Sequence, residues 1–246
     1  MKSIFTFVFT IAYLVISSDT VANTCEEQSS PLQADYTITN MHQQKIISTT
    51  ALSLLRAKNR VAHRYPASQI TEAWYLTSHS RIMPTRYFDA HNRAIEYSPT
   101  ESVHGKKETD WSYRFQLVSD DLLNSMTKVS QTGQGCDVVE TYQLKSENTQ
   151  LSISWKPDIA LVTKYELKKG MHTERWQLQQ LIQSSEPVTA LFSRVDQYQT
   201  TDFADIGDDH TDPFLTKMVT LGFIEKGASG FYDDKGNPLR ADHQHH

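Results

Sequence analysis

A series of three-residue connections constrains this chain more than any other feature. Ala57-Lys58-Asn59 separates Ile46–Arg56 from Arg60–Tyr65, and Pro66-Ala67-Ser68 precedes Ile70–Thr77. Ser78-His79-Ser80 then leads to Arg81–Asp89, and Ala90-His91-Asn92 to Arg93–Ser98. The segments between these connections are rich in β-branched and aromatic residues. Parallel neighbours need a crossover of about a dozen residues or more, so links this short require antiparallel pairing. The alternation agrees: Ile70, Glu72, Trp74 and Leu76 share one face, with Thr71, Ala73, Tyr75 and Thr77 on the other. Pro84, inside Arg81–Asp89, points to a sheet edge or a bulge there.

Further along, Ser102–Thr109 is a polar connection and Trp111–Val118 returns to strand character. Ser119 with Asp120-Asp121 provides an N-cap and acidic first turn for a short helix through Met126. A second β block holds Cys136–Lys145, Gln150–Trp155, Ala160–Lys168 and His172–Ile182, none of which fits a helical period. Pro187–Tyr198 reads as a helix with proline in its first turn, followed by an acidic loop at Asp202–Asp212. Thr211-Asp212-Pro213 opens another helix, with Phe214, Leu215, Met218 and Val219 along one side and Gly222 as its stop. If that stripe is buried, truncating Phe214 to alanine costs about 3–5 kcal/mol. Asp234–Asn237 has hairpin-turn chemistry. The fold expected is mainly β, a curved antiparallel sheet or half-open barrel packed against a few short helices. It occupies residues 23–183, with a helical and loop extension over 184–240 and a disordered His-rich tail over 241–246.

The N-terminus carries Lys2, the apolar run Ile4–Ile16 and small residues ending at Ala22, the pattern of a secretory signal peptide over residues 1–22. A bilayer span needs about 20 apolar residues, so the run is too short to remain as an anchor. Cleavage after Ala22 places the mature chain in the periplasm or outside the cell. The 246-residue sequence has a net charge of −5 and no basic stripe, which argues against nucleic acid as a partner. Its two cysteines, Cys25 and Cys136, are expected to pair in an oxidising compartment.

Catalytic chemistry finds little support. Gly227-Ala228-Ser229-Gly230 lacks the Gly-x-Ser-x-Gly spacing of a nucleophile elbow. The acidic loop with Asp205, Asp208, Asp209 and Asp212 lacks the register of a calcium loop. Glu72, Glu96, Glu140, Glu166 and Glu174 lie on strands, where cross-strand ion pairs on the wet face account for them. His243, His245 and His246 form an imidazole cluster, so a weakly bound divalent transition metal is the one cofactor the sequence offers. The aromatics spread through the β blocks either fill a core or line an apolar groove.

The hairpin-linked strands of Ile46–Ile182, the internal helix at Ser119–Met126 and the late strand pair Ala160–Lys168 with His172–Ile182 resemble the LolA/LolB-like periplasmic family, including RseB-type N-terminal domains. That resemblance implies a half-closed barrel plugged by helices, carrying lipoproteins or other acylated ligands. The function expected is therefore a periplasmic binding or carrier protein with a hydrophobic groove for a lipid-like, acylated or protein ligand. A metal-handling accessory factor using the His tail is the alternative, and a hydrolase a more distant one. No ligand-binding residue is assigned.

Overall fold

The computed structural model describes residue 25 and residues 30–99, 101–103, 106–207 and 211–222. The expected signal segment, the turns expected at Gly227–Gly230 and Asp234–Asn237 and the His-rich C-terminal residues lie outside them. Strands β1 (Leu32–His42), β2 (Lys45–Ala57), β3 (Arg60–Tyr65), β4 (Ile70–Leu76), β5 (Ile82–Phe88) and β6 (Arg93–Glu96) come first. A small hairpin, β7 (Ser102–Val103) and β8 (Lys106–Lys107), leads to helices α1 (Trp111–Gln116) and α2 (Asp120–Ser125). Strands β9 (Thr127–Thr132), β10 (Val139–Lys145), β11 (Thr149–Lys156), β12 (Leu161–Lys169) and β13 (His172–Ile182) follow. Helix α3 (Ser185–Val195), strand β14 (Gln199–Asp202) and helix α4 (Pro213–Thr220) complete the described chain.

All strands but β7 and β8 form one 12-stranded sheet in the order β14-β6-β5-β4-β3-β2-β1-β13-β12-β11-β10-β9. It is curved and open, as the sequence leads one to expect. Every neighbouring pair is antiparallel except β14, which lies parallel to β6. Strand β1 joins the two meanders, pairing with β2 on one side and β13 on the other. Its alternation explains why: Leu32, Ala34 and Tyr36 are buried while Gln33, Asp35 and Thr37 are not.

The sheet's two faces are covered differently. The inner face carries Tyr36, Leu54, Arg56, Val61, His63 and Trp74, and α1 and α2 rest on it. The outer face of β2–β6 carries Leu55, Ala62, Ala73, Tyr87 and Ala94, against which α3 packs Val188, Leu191, Phe192 and Val195. Ser184 caps α3 by accepting from the Glu186 amide.

Three local readings change. Trp111–Val118 begins a helix rather than a strand: Asp110 accepts from the Tyr113 amide at 2.9 Å and caps it, and burial of Phe115 sets its face. Aromatic residues favour strands only where a pleated neighbour exists to pack against. Strand β5 lies inside the sheet, yet Pro84 is tolerated because its carbonyl accepts from Tyr97 just beyond the last β5–β6 pair at Glu96. Its missing N–H therefore faces a place where β6 has already ended. The region after Val195 gains strand β14 and a 3-10 turn over Phe203–Gly207, so Asp202–Asp212 is not a plain loop.

Helix α4 starts as the sequence indicates, with Asp212 capping the Phe214 and Leu215 amides. Leu215, Met218 and Val219 are buried against Phe88, Ile95 and Tyr97, but Phe214 is only half-buried. Phe214 meets Phe88 edge-on at 5.2 Å with the Arg93 guanidinium 4.7 Å from its ring centre. Phe214→Ala is accordingly expected to cost about 1–2 kcal/mol rather than the full cost of a buried aromatic. Urea unfolding of the variant checks this, and a loss as large as that of Leu215→Ala would contradict it.

Cys25 and Cys136 form the expected disulfide, with Cα atoms 5.3 Å apart, which is chemistry of an oxidising compartment.

Candidate functional site: the helix-covered inner face

The pairing register assembles an apolar row that no single strand reveals. Ile38 opposes Trp176, Trp176 opposes Tyr165, Tyr165 opposes Ile153 and Ile153 opposes Tyr142. The row crosses β1, β13, β12, β11 and β10, four inter-strand spacings or roughly 19 Å. Beside it lie Leu151, Leu167 and Leu178. Ile153 is fully buried, whereas Ile38, Trp176, Tyr165, Leu167 and Tyr142 are only partly so. The Tyr165 and Trp176 rings sit 4.9 Å apart, and the indole donates to Glu174 at 2.8 Å. The indole N–H is thus satisfied, leaving the ring face as apolar surface.

What covers the row is small. Helices α1 and α2 have six residues each, too short to persist alone. Trp111 and Phe115 of α1 pack beside the row, as do Leu122 and Leu123 of α2. Leu117, between them, takes a left-handed conformation with φ of 69° while its side chain is buried, so core contact outweighs backbone strain.

The last carbonyls of α1 lack helical partners, and the sheet supplies them. The Arg56 guanidinium, with no exposed surface, donates to Phe115 O at 2.8 Å, to Ala160 O at 2.9 Å and to Ile159 O. It therefore binds α1 to the β11–β12 turn without a carboxylate partner. Burial pulls it down to about 10, which leaves it cationic at neutral pH. His63 Nε2 lies 2.7 Å from Arg114 O. That oxygen can only accept, so Nε2 carries the ring proton. Burial pushes His63 down to about 4, against the opposing effect of that bond. Tyr36 donates to Val162 O at 2.7 Å from the same face, and its hydroxyl is held strongly upward by burial.

The other candidates dissolve into structure. Glu72 meets Arg86 directly across β4–β5, on the inner face rather than the wet one. Glu166 pairs with Arg175 and Lys168, and Glu140 with Lys128 and Tyr142, on strands that are more exposed. Asp212 caps α4 and binds Arg93, and Asp205 is exposed. Asp208, Asp209, Ser229, His243, His245 and His246 lie outside the described residues. Among the described residues no group of three or more His, Cys, Asp or Glu side chains could hold a metal. A groove of about 400 Å³ opens over β11–β13, lined by Ser152, Ser154, Lys164, Glu166, Arg175 and Gln177 together with Tyr165 and Trp176. Its lining is mixed, with hydroxyl and charged side chains around the two aromatic residues.

No family model and no curated protein matches the sequence. Among solved structures, PNGF-II superposes with a TM-score of 0.40 at 8% identity, over 70% of this chain and 31% of that chain. The Pseudomonas aeruginosa MucA/MucB complex gives a TM-score of 0.34 at 10% identity, over 63% of this chain and 52% of that one. An outer membrane lipoprotein-sorting protein domain from Vibrio parahaemolyticus gives 0.31 at 8% identity, over 67% and 92%. The likeness is one of sheet architecture alone. No residue role passes from these proteins to this chain.

Proposed function

We propose that this chain is an exported, periplasmic binding or carrier protein that takes a linear acyl group along the row Ile38–Trp176–Tyr165–Ile153–Tyr142. The observation that carries this reading is the mismatch between the row and its cover. A continuous apolar band across five strands is closed by two six-residue helices, not by a second layer. Helix α2 has no fully buried residue, so lifting it breaks few contacts while Arg56 and His63 hold α1 in place, and an acyl chain restores the apolar burial that α2 gives up. The band's length and narrowness suit an extended hydrocarbon chain better than a compact ligand. The N-terminal segment and the disulfide support an oxidising destination.

N-phenyl-1-naphthylamine, which fluoresces in apolar surroundings, tests the idea on the mature chain. Saturable fluorescence displaced by palmitate is the expected result. Ile38→Asp, which puts a charge at a half-buried position of the row, should weaken uptake about tenfold or more, equivalent to about 1.4 kcal/mol. Absence of saturable uptake, or uptake indifferent to Ile38→Asp in a folded variant, would sink the proposal.

A further inference from the structure

Three hairpin turns meet at one end of the sheet. Gln43, at the β1–β2 turn, donates its amide to Met171 O of the β12–β13 turn at 3.0 Å. Gly170 in turn donates to Asn148 O of the β10–β11 turn at 3.1 Å. The rim so formed stands clear of the core: on β2, Lys45–Thr49 are exposed on both faces of the strand. Its apolar side chains are bare, with Ile46 67%, Ile47 63% and Met171 58% exposed. Ile47 is the extra residue of a bulge, since Asn40 opposes Ser48 while Met41 opposes Ile46.

The rim's charge opposes that of the molecule. Lys45, Lys145, Lys168 and Lys169 stand there against Glu147, on a chain whose net charge is −5. Lys168 is engaged by Glu166, one turn of the pleat inward.

We infer that this rim docks onto the surface of a bilayer rich in anionic phospholipid. Isoleucine and methionine at turn tips enter the boundary between headgroups and acyl chains, while lysines at their flanks meet phosphates. The remaining acidic body is repelled, so the rim is the end that approaches. A second copy of the chain fits less well, because a two-fold contact would set lysines against lysines. Ile46, Ile47 and Met171 stand on projecting tips, and the hollow beside them, lined by Lys145, Gln150, Glu166 and Lys168, is polar and does not suit a partner's apolar side chain. This goes beyond the carrier reading and does not need it, since the rim lies outside the apolar row.

Co-sedimentation of the full mature chain with vesicles decides the matter. Vesicles of phosphatidylglycerol with phosphatidylethanolamine should bind it, and vesicles of phosphatidylcholine alone should not. Lys45→Gln and Lys169→Gln should each weaken binding about fivefold, and high salt should weaken it further. A combined Ile46→Ser, Ile47→Ser and Met171→Ser variant should lose it, while keeping the wild-type circular dichroism and naphthylamine uptake. If the triple variant does not fold, the single lysine variants carry the test. The inference is overturned by absence of binding to anionic vesicles, by equal binding to both vesicle types, by lysine variants that bind as wild type does, or by a solution dimer that the rim substitutions dissolve. Vesicle binding without naphthylamine uptake leaves this inference standing and removes the carrier reading alone.

Discussion

Arg56→Met is expected to lower stability by about 4 kcal/mol, through carbonyls left without a donor. The guanidinium serves Phe115 O, Ile159 O and Ala160 O from a position with no exposed surface. Methionine fills much of the same volume and donates nothing. Each buried carbonyl so orphaned costs about 1–3 kcal/mol, and part of this is recovered because a buried charge is no longer held out of water. Its Nε has no partner even in the wild type, so nothing is lost at that atom. The urea midpoint should fall, and Trp111 fluorescence should shift as α1 loosens. An unchanged midpoint would mean that these carbonyls find other partners and that Arg56 does not fasten α1.

Acid is expected to act through His63. Its folded value near 4 lies below the ordinary 6.5, so the unfolded chain binds the proton more readily. Stability from this group is therefore complete above about pH 6.5 and is lost progressively as pH falls through about 4, amounting to roughly 3 kcal/mol. His63→Gln keeps an amide donor for Arg114 O and cannot titrate. Its unfolding free energy should be flatter than that of the wild type across the same window. Parallel pH profiles for the two proteins would assign the acid sensitivity elsewhere.

The hairpins were legible because their connections carry short-range information. Arg60–Tyr65, Ile70–Leu76 and His172–Ile182 are strands where turn residues and alternation place them. Strand β1 was not read from the sequence, although Leu32, Ala34, Tyr36 and Ile38 alternate plainly, because no short hairpin turn precedes it. Strand β9, with all six residues exposed, has no hydrophobic pattern to find. The apolar row depends on register between five strands, which periodicity within one strand does not encode. Arg56 and His63 did leave a signal: a cation inside Leu52-Ser53-Leu54-Leu55-Arg56 and an imidazole on the face of Val61 are costly unless something buried accepts from them. The accepting carbonyls belong to α1 and the β11–β12 turn, far away in sequence.

The central position of β1 has a consequence for the order in which the molecule can be assembled. As the chain is made from its N-terminus, β1 and β2 can close their hairpin almost at once. The other side of β1 must wait, since Gln33 meets Ile182 and His42 meets His172. Until β13 has been synthesised, the strand at the middle of the finished sheet is an unprotected edge, open to any extended segment that passes. Association of incomplete chains is thus most probable before residue 172, and falls once both meanders are joined.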